Sequence, residues 1–160
     1  MAEVRLEEWA AGDLRLVTAL NGDEAMMRHL GGPESPEKLA ERQAKYEKPG
    51  SGMFRVVLDG IAVGSVGYWD RRGQVWEVGW AVLPAFQGRG IATAATALAV
   101  ERAREERRHR FMHAYPSVEN PASNAICRKL GFTLLEEHDF EYPPGSGNVL
   151  RCNDWRLALY

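Results

Sequence analysis

Cysteine is nearly missing from this chain: Cys127 and Cys152 are its only two in 160 residues. That count leaves no disulfide framework and no four-cysteine zinc site. The four histidines, His29, His109, His113 and His138, show no metal-ligand spacing, so no metal is expected. A charge excess is lacking too, since 20 Lys plus Arg face 22 Asp plus Glu for a net −2. Nucleic-acid binding leans on a marked basic excess, so no nucleic-acid partner is expected. No apolar run approaches the ~18 residues of a membrane-spanning helix, and the start has no apolar stretch of leader length. The expectation is a cytoplasmic protein with no membrane partner. What remains is 45% hydrophobic and 26% charged, the balance of a folded protein. The length suits one domain over residues 1–160.

Residues 4–6 read as a short strand, and Asp13 as the cap of a helix carrying Leu14, Val17 and Leu20 on one side. A second helix is expected over residues 23–30, stopped by Gly31-Gly32-Pro33. Ser35-Pro36 has the N-cap and N1 proline of a polar helix running to Tyr46. Residues 54–58 and 61–69, joined by Asp59-Gly60, read as a hairpin. Arg71-Arg72-Gly73 turns the chain into a strand over 75–82. Helix period follows over 90–108, with Ile91, Ala95 and Leu98 on one side. A strand over 111–115, a short helix from Asn120-Pro121 to Gly131, and strands near 132–135 and 149–159 complete the order. This is an α+β domain with a mixed sheet, not a doubly wound one.

Between the 75–82 strand and the long helix lies Val82-Leu83-Pro84-Ala85-Phe86-Gln87-Gly88-Arg89-Gly90-Ile91-Ala92-Thr93. Glycines let backbone N–H groups converge on an anion, and a helix start adds unpaired N–H groups and a positive dipole end. A phosphate or diphosphate site over residues 88–92 is one reading; a mere tight turn is the other. There is no Gly-Lys-Ser/Thr, and Thr93 stands where a dinucleotide loop needs its third glycine.

Strand alternation puts Trp76, Val78, Trp80 and Val82 on one face and Val75, Glu77, Gly79 and Ala81 on the other. A carboxylate between small residues leaves room for a ligand. Partial burial disfavours its charged form and suits it to accept a proton near neutral pH. The competing reading pairs Glu77 with an arginine or a backbone group.

Gln87-Gly88-Arg89-Gly90-Ile91-Ala92 resembles the acyl-CoA signature of the GNAT N-acetyltransferases. The likeness extends through Glu77-Val78-Gly79-Trp80-Ala81-Val82-Leu83-Pro84, Asn120-Pro121-Ala122-Ser123 and Arg128-Lys129-Leu130-Gly131-Phe132. Met26-Met27-Arg28-His29-Leu30-Gly31-Gly32-Pro33 is similar to the ribosomal-protein N-terminal acetyltransferase (RimJ/RimL-like) branch.

The resemblance implies the GNAT fold, a mostly antiparallel twisted sheet flanked by helices, with acetyl-CoA as cosubstrate. It implies that the diphosphate sits on Gln87, Gly88, Arg89, Gly90, Ile91, Ala92 and Thr93. Backbone groups near Ala81 and Val82, with Asn120 and Ser123, would meet the pantetheine arm. A primary amine would attack the thioester directly, with Glu77 as base. Many members place a tyrosine general acid where Cys127 stands, whereas the RimJ/RimL-like branch points to Ser123; solvent is the third option. The acceptor is a protein N-terminus or a small amine such as a polyamine, amino acid or aminoglycoside. A catalytically silent acyl-CoA-binding module is the rival. The resemblance also leaves a homodimer open.

Overall fold

The computed structural model describes residues 3–160. Its centre is a seven-stranded sheet in the order β1-β2-β3-β4-β5-β7-β6. The strands are β1 (Val4–Glu8), β2 (Met53–Leu58), β3 (Ile61–Arg71), β4 (Val75–Val82), β5 (Phe111–Ala114), β6 (Thr133–Glu141) and β7 (Val149–Ala158). Among the described residues, only β4 and β5 run parallel; every other pair is antiparallel. The helices are α1 (Leu14–Asn21), α2 (Pro36–Glu47), α3 (Ile91–Glu106) and α4 (Pro121–Lys129). Among the described residues, no helix is long and apolar enough to cross a membrane.

The β2–β3 hairpin turns as its Asp-Gly pair requires, with φ of 49° at Asp59 and 81° at Gly60. Helix α2 starts as read, Ser35 Oγ accepting the Lys38 N–H at 3.2 Å. Asp13 does not cap α1. Its carboxylate instead accepts from the Ala10 N–H at 2.8 Å and from Arg55 at 3.2 Å. The helix expected over residues 23–30 is a turn followed by a short 3₁₀ segment, Arg28–Leu30. The Asp23 side chain takes the Met26 N–H, and the chain turns left-handed at Gly31 and Gly32, with φ of 92° and 96°, so the segment closes as a turn. Helix α3 buries Ile91 and Ala95 as expected, but Leu98 is 39% exposed. Thr96, Ala99, Val100 and Ala103 fill the rest of its inner face.

Two apolar clusters sandwich the sheet. Helix α3 covers Val56, Val66, Tyr68, Trp76, Val78 and Val82, with Cys127 and Trp155 in the same core. On the other side Trp9, Leu16, Val17, Leu20 and Leu39 pack with Ala62 and Ala81. Ala81 and Val82 are consecutive, so the two clusters lie on opposite faces. Glu77 therefore shares the face of α1 and α2.

Candidate active site

Strand β4 is paired with β3 along its whole length, from Arg71↔Val75 to Gly64↔Val82. With β5 it pairs only at Trp76↔Met112 and Glu77↔His113. Beyond Glu77 the two strands part. The edge of residues 78–82 that faces β5 has no strand partner among the described residues. Backbone N–H and C=O groups there need partners, which an extended arm carrying amides would supply.

The loop after β4 is pinned by Gln87, whose Nε2 donates to the Val82 carbonyl at 2.9 Å. Met26 Sδ lies 3.6 Å from the same nitrogen, bringing the N-terminal segment beside the loop. Gly88 and Gly90 have φ of 77° and 75°, a region that other residues enter only with strain. Nothing lies within 4 Å of where a Cβ would stand at either, so conformation rather than space calls for glycine. Helix α3 begins without a side-chain cap, and its first turn closes with the Ala94 N–H on the Gly90 carbonyl at 3.0 Å. The N–H groups of Ile91, Ala92 and Thr93 thus lack intrahelical acceptors. Together with the exposed Arg89, held over the Phe86 ring at 5.4 Å, they form a cradle that fits a diphosphate.

Across the gap, Asn120 caps α4 by accepting the Ser123 N–H at 3.1 Å. Ser123 Oγ accepts from Trp80 Nε1 at 3.3 Å, so its own proton stays available to donate. Cys127, one turn further, is fully buried in the core rather than in the gap, and burial pushes its thiol up to about 12. The residue between them was missed by the sequence reading. Asn124 donates to the Ser117 and Asn120 carbonyls and accepts from Trp155 and Asn153, which locks α4 onto β7. An asparagine inside a short helix, a poor helix former with no cap to make, was the available signal.

Glu77 stands where the strands diverge, its side chain 21% exposed. Arg71 Nη1 donates to its Oε1 at 2.7 Å. Arg71 itself lies 4.7 Å over the Tyr115 ring and 5.6 Å over Phe140. The room expected beside Gly79 is taken by Trp69, whose ring would sit 3.0 Å from a Cβ there. His113, the register partner of Glu77, holds Asp154 Oδ1 through Nδ1 at 2.6 Å. A wall is added by α2, where Arg42 pairs with Glu34 and donates to Tyr46 at 2.8 Å and to Tyr142 of the β6–β7 connection at 3.2 Å. Burial acts against the Arg42 charge, but Glu34 and the two tyrosines carry its pKa upward.

Comparison with known proteins agrees with this geometry. Residues 3–133 match the acetyltransferase (GNAT) domain family. A GNAT-family acetyltransferase from Bacillus anthracis superposes with a TM-score of 0.81 at 21% identity, over 99% of this chain and 97% of its own. RimL, a ribosomal α-N-protein acetyltransferase solved with coenzyme A, gives 0.80 at 19% identity, over 97% and 93%. A spermidine N-acetyltransferase from Vibrio cholerae, solved with CoA and spermine, gives 0.78 at 20% identity, over 98% and 95%. A family match over most of the residues, on a sheet parted at β4 and β5, means that the chain belongs to the GNAT acetyltransferase family.

Proposed function

We propose that this protein transfers the acetyl group of acetyl-CoA to a primary amine that enters on the α1–α2 face. The observation that carries the reading is the junction of three features at one end of β4. These are the unpaired edge of residues 78–82, the uncapped α3 N-terminus, and a carboxylate at the root of the gap. Bound acetyl-CoA supplies a thioester whose acyl carbon accepts a nucleophile. Gln87, Gly88, Arg89, Gly90, Ile91, Ala92 and Thr93 hold its diphosphate. Val82 offers its backbone N–H to the arm, its carbonyl being held by Gln87, whereas Ala81, expected beside it, turns its backbone groups to Ser65 of β3; Asn120 and Ser123 flank the arm from α4.

Glu77 takes a proton from the incoming ammonium, directly or through water, because only the free amine has a lone pair to attack with. Arg71 engages one carboxylate oxygen and leaves the other for that role. Ser123 gives its proton to the departing sulfur and is reprotonated by the second proton that the attacking nitrogen loses, directly or through water. Cys127 has no part, since it lies inside the core. The relatives' names span a ribosomal protein and a polyamine as acceptors.

The test is acetyl-CoA-dependent thiol release across N-terminal peptides, polyamines, amino acids and aminoglycosides, for the wild type and Glu77→Gln. The variant should bind acetyl-CoA normally by calorimetry and lose about a hundredfold or more in kcat. Unchanged kcat would remove Glu77 from the chemistry. Tight acetyl-CoA binding without turnover of any amine would instead favour the silent binding module.

A further inference from the structure

Resting on the transferase reading above, we propose that His113, oriented by Asp154, carries the acceptor's proton from Glu77 out of the cleft. The reaction creates the need. An ammonium and a thioester become an amide, a thiol and one proton; the C–S bond breaks as the C–N bond forms. Of the two protons that leave nitrogen, one is matched by the proton that ends on sulfur. The other first occupies Glu77, and must reach solvent before the next amine can be deprotonated.

The fold sets a second base beside that carboxylate. Glu77 and His113 are register partners on neighbouring strands, with backbones roughly 5 Å apart. Met112 and Ala114 belong to the α3-side core, so His113 between them points to the Glu77 side. Its Nδ1 is committed to Asp154 at 2.6 Å, and Asp154 is itself buried. That bond fixes the ring and leaves Nε2, which has no hydrogen-bond partner among the described residues, on the side turned away from β7. The His113 side chain is 14% exposed, enough to meet water.

Other charged groups surround the ring. Arg156 is its register partner on β7, and Arg71 of β3 lies over Tyr115, which stacks on the imidazole at 5.8 Å. Beyond Asp154, His138 of β6 approaches the second carboxylate oxygen at 3.5 Å and Glu136 at 3.1 Å. A proton arriving at Nε2 makes an imidazolium whose Nδ1 faces the Asp154 carboxylate.

Two measurements test the relay. Imidazole ¹⁵N NMR needs no acceptor: Glu77→Gln should move the His113 Nε2 resonance, and Asp154→Asn should move that of Nδ1 by removing its partner. An Nε2 resonance unmoved by Glu77→Gln would overturn the proposal. For turnover the probes are spermine and a peptide with N-terminal serine, with His113→Gln and the double variant Glu77→Gln/His113→Gln. His113→Gln should lower kcat about tenfold or more at neutral and higher pH and least at low pH, where an already protonated ring cannot accept, with the KM for acetyl-CoA unchanged. The double variant should be no slower than Glu77→Gln, and additive losses would overturn the relay. Full kcat in Glu77→Gln sinks the base itself, whereas a collapsed kcat with an uncoupled His113 sinks only the relay.

Discussion

A thiol surrounded by hydrocarbon keeps its proton, and Cys127 carries this into the pH dependence of stability. Its pKa rises from 9.0 to about 12 on burial. The unfolded chain releases that proton at the lower pH while the folded chain retains it, so stability falls as pH climbs through the interval. The slope is about 1.4 kcal/mol per pH unit for one such group. Urea unfolding at pH ~8 and ~10.5 should show the wild type losing more stability than Cys127→Ala; parallel losses would assign the effect elsewhere. Ser123 is a different case, a hydroxyl at the lip of the gap. Ser123→Ala should reduce kcat by about tenfold and barely move the acetyl-CoA affinity, read by steady-state kinetics beside calorimetry. Full kcat would leave solvent as the donor. Strand alternation alone put Glu77 on the face opposite Trp76, Val78, Trp80 and Val82, because a period of two is written in consecutive residues. The competing reading, a pair with an arginine, is what the structure shows, but that the arginine is Arg71 was not legible, since it meets Glu77 through the register of a hairpin. The link between His113 and Asp154 spans 41 positions, and only the β5–β7 pairing makes them neighbours.

At the scale of elements, the glycine loop and the helix it opens act as one device. With no neighbour to clash against, Gly88→Ala should cost only the strain of its left-handed backbone, about 1–2 kcal/mol. The N–H groups of α3 would be re-aimed, so acetyl-CoA affinity should fall about tenfold while the amine KM holds. Calorimetry checks this, and an unchanged affinity would make the loop a simple turn. The strand, loop and helix start were legible because glycines, a helix period and a preceding strand are all local signals. The segment before α2 was not, since an Asp-led run of eight residues spells a helix locally until Met27 is pulled into the interior at 2% exposure. Strand β6 was read too short for a similar reason. Its outer residues are charged and exposed, without the apolar alternation that marks a half-buried strand.

Across the whole molecule, Arg42 is the contact that ties α2 to the far hairpin through Tyr142. Arg42→Met should raise the amine KM severalfold, leave the acetyl-CoA KM alone, and speed amide exchange over residues 143–148. Equal exchange in both proteins would mean that the hairpin holds itself. The larger division lies elsewhere. Strands β1 to β4 and strands β5 to β7 meet through two register pairs and the packing of α3 and α4 above them. Cooperativity in a sheet comes from the ladder that joins its strands, and here the ladder is interrupted halfway. A bound molecule touching both lips would supply bonds that the backbone omits, adding to the single core that already joins the two halves. Its affinity then reappears as an upward shift of the unfolding temperature that grows with ligand concentration. Incomplete strand pairing makes cohesion of the sheet a property shared between the chain and its cosubstrate.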